Sequence, residues 1–287
     1  MPELIVQTLI EENSRPCADG IPYQRYREWV KNRGRGGNIQ NINGIQIDAV
    51  IPSTPAIIDC ILHLGMRSSS ARFLDSGQAD EFLVEMESLQ ETRNPSHDAT
   101  KGIRNGFLQR VQVGVSEYVP SFLMLRNKTT DAHEIPYAPV ELVKRLQVIN
   151  QLQQKHNPIA DPTRATDDDR TMNNLDLVPL IFPLFRDPNN PSSKPISYSK
   201  VSNWWNQLLR DCEPIVNEKR ASILGSSCEQ ISFFDLSGNP VWDIHSIRVT
   251  VVTALLEMGV PPTIIQHLVG HKSPLMTLHY QAIENTK

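Results

Sequence analysis

No run in this sequence approaches the ~20 consecutive apolar residues that a membrane-spanning helix needs, and apolar residues make up 39% of the chain. A protein built on such helices is therefore excluded. Cysteine is scarce. Cys17, Cys60, Cys212 and Cys228 lie far apart and form no C-x-x-C pair, which argues against a disulfide framework or a zinc site and for free thiols in a reducing cytoplasm. An excess of positive charge is also missing: 28 Lys and Arg stand against 32 Asp and Glu, a net charge of −4. Such a balance does not favour a polyanionic partner, although a basic face can coexist with acidic clusters such as Asp167-Asp168-Asp169. The start, Met1-Pro2-Glu3-Leu4-Ile5, has no basic stretch leading into an apolar run, so no secretory signal is expected. No internal repeat is evident, and no carboxylates are spaced for two-metal chemistry. Neither a metal nor a cofactor is expected.

The 287 residues present suffice for one large domain or two small ones. Residues 23–31 predict a short helix with basic and aromatic faces, and Arg33 to Gly37 a flexible break. Ile57, Ile58, Ile61, Leu62 and Leu64 recur at helical spacing ahead of Gly65. Phe73 and Leu74 suggest a second short helix stopping at Gly77. Strand-like runs fill 107–125, a turn follows at 128–131, and a strand is expected over 133–137. An amphipathic helix is predicted over 139–151 and a long exposed loop over 155–178. A further helix over 200–212 should bury Trp204, Leu208 and Leu209. Trp204, Trp205 and Trp242 read as packing residues.

The last 45 residues are the most informative. Asp243 can cap a helix whose apolar positions include Ile247, Val251, Val252 and Leu255, with Gly259 just past its end. His245 and Arg248 stand three apart and project from one face. Pro261-Pro262 opens a second helix that Gly270 stops, with His271 next. Ser273-Pro274 has the form of an N-cap and N1 pair opening a third helix, which carries Tyr280. Arginine is the side chain suited to holding a phosphodiester through paired donors. A phenol with an ordinary pKa near ~10 needs an activated target or a base to act as nucleophile.

His245-Ser246-Ile247-Arg248, then Leu268-Val269-Gly270-His271, then Tyr280 resemble the HxxR box, LGH-type box and nucleophile of the tyrosine recombinases of the phage-integrase type. The spacings match: His271 lies 23 residues after Arg248, and Tyr280 nine after His271. Leu64-Gly65-Met66-Arg67 resembles the family's first-arginine turn. Gly102-Ile103-Arg104 is a competing match, but it follows a polar stretch rather than an apolar helix. Asn127-Lys128-Thr129-Thr130 before Glu134-Ile135-Pro136-Tyr137 resembles the family's β-hairpin lysine. Ser70 stands where an acidic residue is usual, and Val249 where the second-arginine box continues with His, which marks a divergent branch.

The resemblance covers roughly residues 50–282. It implies a mainly α catalytic domain with a small antiparallel β-sheet over 51–287, an insertion around 78–115, and an extension or linker remnant over 1–50. About 50 residues before the match and seven after Tyr280 suggest a fragment or a minimal variant. The resemblance also implies site-specific recombination or integration of a mobile element by strand cleavage and rejoining. Tyr280 would attack the phosphodiester and Arg67 and Arg248 would hold it. His245 would assist proton removal, His271 would donate to a phosphate oxygen, and Lys128 would protonate the leaving 5′ oxygen. The implied partners are double-stranded DNA and further copies in a tetramer on DNA, with no membrane and no small-molecule substrate. The implied setting is the bacterial cytoplasm at the nucleoid. A catalytically inactive DNA-binding accessory protein of the same fold, or a type IB topoisomerase-like relaxing enzyme, are the alternatives.

Overall fold

Residues 53–64 are apolar on nearly every side, and a helix of that composition is stable only when neighbours cover it all round. The computed structural model shows this. Helix α3 (Ser53–Leu64) is buried at every position except His63, and it packs against α1 (Glu3–Ser14), α4 (Ser68–Arg72), α5 (Val140–His156), α6 (Tyr198–Leu224) and α7 (Ile244–Glu257). The structure describes residues 1–33, 38–40, 46–48, 50–97, 104–126, 132–167, 178–187 and 194–271. Among them α2 (Gln24–Asn32) and α8 (Pro262–Val269) complete the helices. The strands are short and antiparallel, and the largest sheet has the order β5 (Leu108–Gln112), β6 (Tyr118–Met124), β7 (His133–Ile135). The molecule is thus mainly α with small antiparallel sheets, as expected. Among the described residues no helix is long and apolar enough to cross a membrane.

The N-terminal segment is built into this core. Ile5, Leu9 and Tyr23 join the main apolar cluster with α3 and α6. Trp204 Nε1 donates to Asn13 Oδ1 at 3.0 Å, and Asn13 Nδ2 donates to the Pro55 carbonyl at 3.0 Å. Beneath them Asp59 is fully buried. It accepts from the Tyr23 hydroxyl at 2.9 Å and from Arg145 Nε at 2.7 Å, and His63 Nε2 lies 3.3 Å from its other oxygen. Burial alone would raise the Asp59 pKa, but His63 and Arg145 outweigh it and hold the carboxyl below its ordinary value.

Three local expectations shift. The helix expected over 200–212 runs 27 residues and passes through Pro214. A proline removes one hydrogen bond and crowds the preceding turn. Here buried Val216 beyond it, and Lys219 donating to Thr8 Oγ1 at 3.2 Å and to Glu11 at 2.8 Å, hold the far half against α1. The helix predicted over 139–151 likewise runs on to His156. The short helix expected to end at Gly77 lies earlier, at Ser68–Arg72. Residues 75–77 instead form a buried junction, with Asp75 accepting from the Gly77 and Phe182 backbone amides at 2.7 Å each. Part of the segment read as an insertion forms a hairpin of β3 (Phe82–Val84) and β4 (Glu91–Arg93). All four cysteines are free thiols.

Candidate active site

Asp243 has extended backbone and accepts from the Ser246 amide at 2.8 Å, the N-cap that starts α7. The cap fixes where the first turns of α7 point. His245 is exposed, while Arg248, one turn on, is buried at 2% exposure. The Arg248 guanidinium joins two helix ends. Nη1 donates to the Gly65 carbonyl at 2.7 Å, and Nη2 donates to the Val269 carbonyl at 2.5 Å. Gly65 is the left-handed C-cap of α3, at φ +58°, and Val269 is the last residue of α8. Terminal carbonyls lack partners within their own helix, and a cation is favoured at that end of the dipole. Gly65 allows the close approach this needs, since a Cβ there would lie 3.1 Å from Cγ1 of Val251 on α7.

Gly270 ends α8 in the left-handed region, and the His271 amide donates back to the Gln266 carbonyl at 3.0 Å. This closure turns His271 inward, to 5% exposure. Burial first, then the charges of Arg248 and Arg67, push its pKa down to about 4. The imidazole is therefore neutral near pH 7. The unfolded chain, with an ordinary histidine pKa near ~6.5, takes up that proton first as pH falls. His271 should thus cost no stability above pH ~6.5 and up to about 1.4 kcal/mol per pH unit between there and its folded pKa. Urea unfolding of the wild type and of His271→Asn across this range checks it. The stability difference should drift against the wild type as pH falls, and a pH-independent difference would contradict the burial of a neutral ring.

Arg67 is half-buried and directly precedes α4. With His245 it lines a cleft of about 360 Å³ whose other walls include Arg72, Asp167 and Tyr198. Arg104, the competitor to Arg67, is half-exposed and ion-paired to Glu91 of β4. Lys128 and Tyr280, and the residues expected to form a third C-terminal helix, lie outside the described residues. The strands on either side of Lys128 pair antiparallel, with Met124 opposite His133. His133 bonds the backbone of His267, and burial, the neighbouring His267 and Arg248 lower its pKa. Arg72 Nε donates to the Ile196 carbonyl at 2.6 Å, and its two Nη atoms engage both carboxylate oxygens of Asp167. The sequence singled out neither Arg72 nor His133. Arg72 falls in no motif, and His133 is an ordinary strand residue until α8 is laid beside β7. Among the described residues no three His, Cys, Asp or Glu side chains are grouped to hold a metal ion.

Arg248, Arg67 and the neutral His271 imidazole thus lie close enough to act on one another's charge, and Arg67 also lines the cleft that holds the exposed His245. Such a set can bind a tetrahedral anion and stabilise charge that builds on it. Comparison with known proteins adds the following. The model of the family described as "Phage integrase family" matches residues 123–287, and that of "Putative integrase" matches residues 56–166. No curated protein matches the sequence. A solved structure of XerH site-specific recombinase bound to difH substrate, a pre-cleavage complex, is 12% identical with a TM-score of 0.41. That match covers 98% of this chain and 49% of the other. The integrase of the Tn1549 transposon in complex with transposon right end DNA is 15% identical with a TM-score of 0.38, covering 93% of this chain and 61% of that one. The chain spans about half the length of the first and three fifths of the second. The first of the two family models extends over more than half of the sequence, and the protein belongs to the phage integrase family of tyrosine recombinases.

Proposed function

We propose that this protein cuts and rejoins double-stranded DNA at specific sites, through a 3′-phosphotyrosyl bond to Tyr280. The observation that supports it best is the meeting of Arg67, Arg248 and His271 beside the His245 cleft, from three separate parts of the chain. In this reading the Tyr280 phenolate oxygen attacks phosphorus, and the P–O bond to the 5′ oxygen breaks. Arg67 and Arg248 neutralise the non-bridging oxygens. His271 is held neutral, so it has a ring N–H to donate without adding a buried charge in the absence of substrate. His245, exposed in the cleft, assists removal of the phenol proton. Lys128 delivers a proton to the leaving 5′ oxygen. Attack by a 5′ hydroxyl from a second DNA end reverses the step, so bond energy is conserved. Two DNA sites held by four copies of the chain would allow the exchange, in the bacterial cytoplasm where a mobile element and its target meet. Family membership supports the choice of substrate.

The test is a nicked suicide duplex from which the cleaved 5′ end diffuses away. The wild type should accumulate a covalent protein–DNA adduct that denaturing gels retain, and Tyr280→Phe should form none. DNA retention without any adduct would favour the inactive accessory protein. Relaxation of supercoiled plasmid without a preferred site would favour the topoisomerase-like enzyme.

A further inference from the structure

The arginine cleft contains an anion already. Arg72 is buried to 2% exposure, and it is anchored from behind by the bond from Nε to the Ile196 carbonyl at 2.6 Å. Its two outward nitrogens are both engaged by Asp167, a side chain that is itself 59% exposed and comes in from the solvent side. A second guanidinium belongs to the same group. Arg126 and Arg72 both lie over the Phe73 ring, at 5.0 and 5.2 Å from its centroid, and Arg126 also donates to the Ala165 carbonyl. Two guanidinium groups sharing one ring repel each other, and burial lowers the Arg126 pKa, with Asp167 opposing that fall and Arg72 adding to it. A carboxylate held by two parallel donors has the form of the contact that arginine makes with two non-bridging phosphate oxygens. Arg72, Asp167, Arg67 and His245 line one continuous cleft.

We propose that Arg72 and Arg126 form a second phosphodiester subsite beside the Arg67–Arg248–His271 cluster, and that Asp167 fills it in the DNA-free protein as a built-in anion. A DNA backbone phosphate neighbouring the scissile one displaces Asp167. Arg72 stays in place because its anchor, the Ile196 carbonyl, lies on the protein side, whereas Asp167 needs only to swing into solvent. The subsite also accounts for how a chain with a net charge of −4 can present a basic cleft, since the counter-charge is parked on the cationic groups and released on binding. The proposal rests on DNA being the substrate and goes beyond it in naming two further contacts and their competitor.

The experiment is a titration of a labelled duplex of arbitrary sequence, between about 50 and 200 mM salt, a range over which phosphate contacts dominate. Asp167→Asn should bind roughly tenfold tighter at the low-salt end, the scale of one charged pair no longer in competition. Glu117→Gln, which removes the same charge from the exposed β5–β6 turn, should gain far less. Arg72→Gln should bind more weakly with a salt slope smaller by about one, and in that background the Asp167→Asn gain should vanish. Should Arg72→Gln fail to fold, Arg126→Gln, which leaves the Arg72–Asp167 pair intact, should still bind more weakly with a smaller salt slope, and unchanged binding would remove Arg126 and the subsite with it. If Asp167→Asn gains no more than Glu117→Gln, or keeps its gain without Arg72, the pair is structural and the subsite is wrong. If the wild type and every variant fail to retain the duplex at the lowest salt, the DNA reading itself falls, and this proposal with it.

Discussion

Arg248→Lys is expected to lower the rate of adduct formation on the suicide duplex on the order of 10²–10³-fold, the scale of losing one oriented donor from a developing phosphoryl charge. The same substitution should also weaken the fold. Arg248 spans two helix ends with separate nitrogens, to Gly65 at 2.7 Å and to Val269 at 2.5 Å. A lysine ammonium is one point with three rotating donors and no planar fork. It cannot reach both carbonyls and also hold two phosphate oxygens. Each charged hydrogen bond lost in a buried setting is worth about 1.5–3 kcal/mol, so the urea midpoint should fall together with the rate. Lysine keeps the positive charge, which separates geometry from simple neutralisation. Cleavage within tenfold of the wild type would remove Arg248 from the phosphate, and an unchanged midpoint would mean that the two-carbonyl bridge is not made in solution.

Asp59→Ala should cost about 3–5 kcal/mol of stability, the usual consequence of removing one partner from a buried ion pair. The carboxylate holds Tyr23, His63 and Arg145 together from α3, the start of α2 and α5. Its loss strands the fully buried Tyr23 hydroxyl and the largely buried Arg145 guanidinium. The Asp59 pKa lies below the ordinary carboxylate value, so its contribution is fully present above pH ~4 and is lost only as pH falls further, through the folded value. The wild-type to Asp59→Ala difference should therefore be flat from pH 7 to 5. Urea denaturation reads both quantities, and a loss below about 1 kcal/mol would show that the cluster relaxes without penalty. A histidine, a carboxylate and a phenol in contact resemble a reactive site, but the full burial of Asp59 and Tyr23 makes this group a structural clamp.

Much of this arrangement was written in local pattern. The C-terminal helices have their stops and starts in the chain itself: Asp243 as cap, Gly259 and Gly270 past the ends, Pro262 at the first helical position. The spacing of His245 and Arg248 on one helical turn needs nothing but the helical repeat. The apolar content of residues 53–64 announced a central helix. Where the sequence misled, a long-range contact overrode a local rule. Pro214 does not end α6, because α1 packs along the far half. Residues 73–77 are not helical, because Asp75 is claimed by a backbone amide 107 positions away.

By itself, then, the sequence determined where the two described C-terminal helices start and stop, and that an HxxR box, a glycine–histidine turn and a tyrosine follow in family order. Only the tertiary structure decided that the Arg248 guanidinium meets Gly65 from 183 positions away, that Arg67 rather than Arg104 stands beside His271, and that Arg72 is met by Asp167 across 95 positions. The physical reason is range. Caps, turns and helical periodicity act within a few residues and leave a mark in the order of amino acids, whereas a charge finds its partner through the packing of whole helices, which leaves no periodic trace.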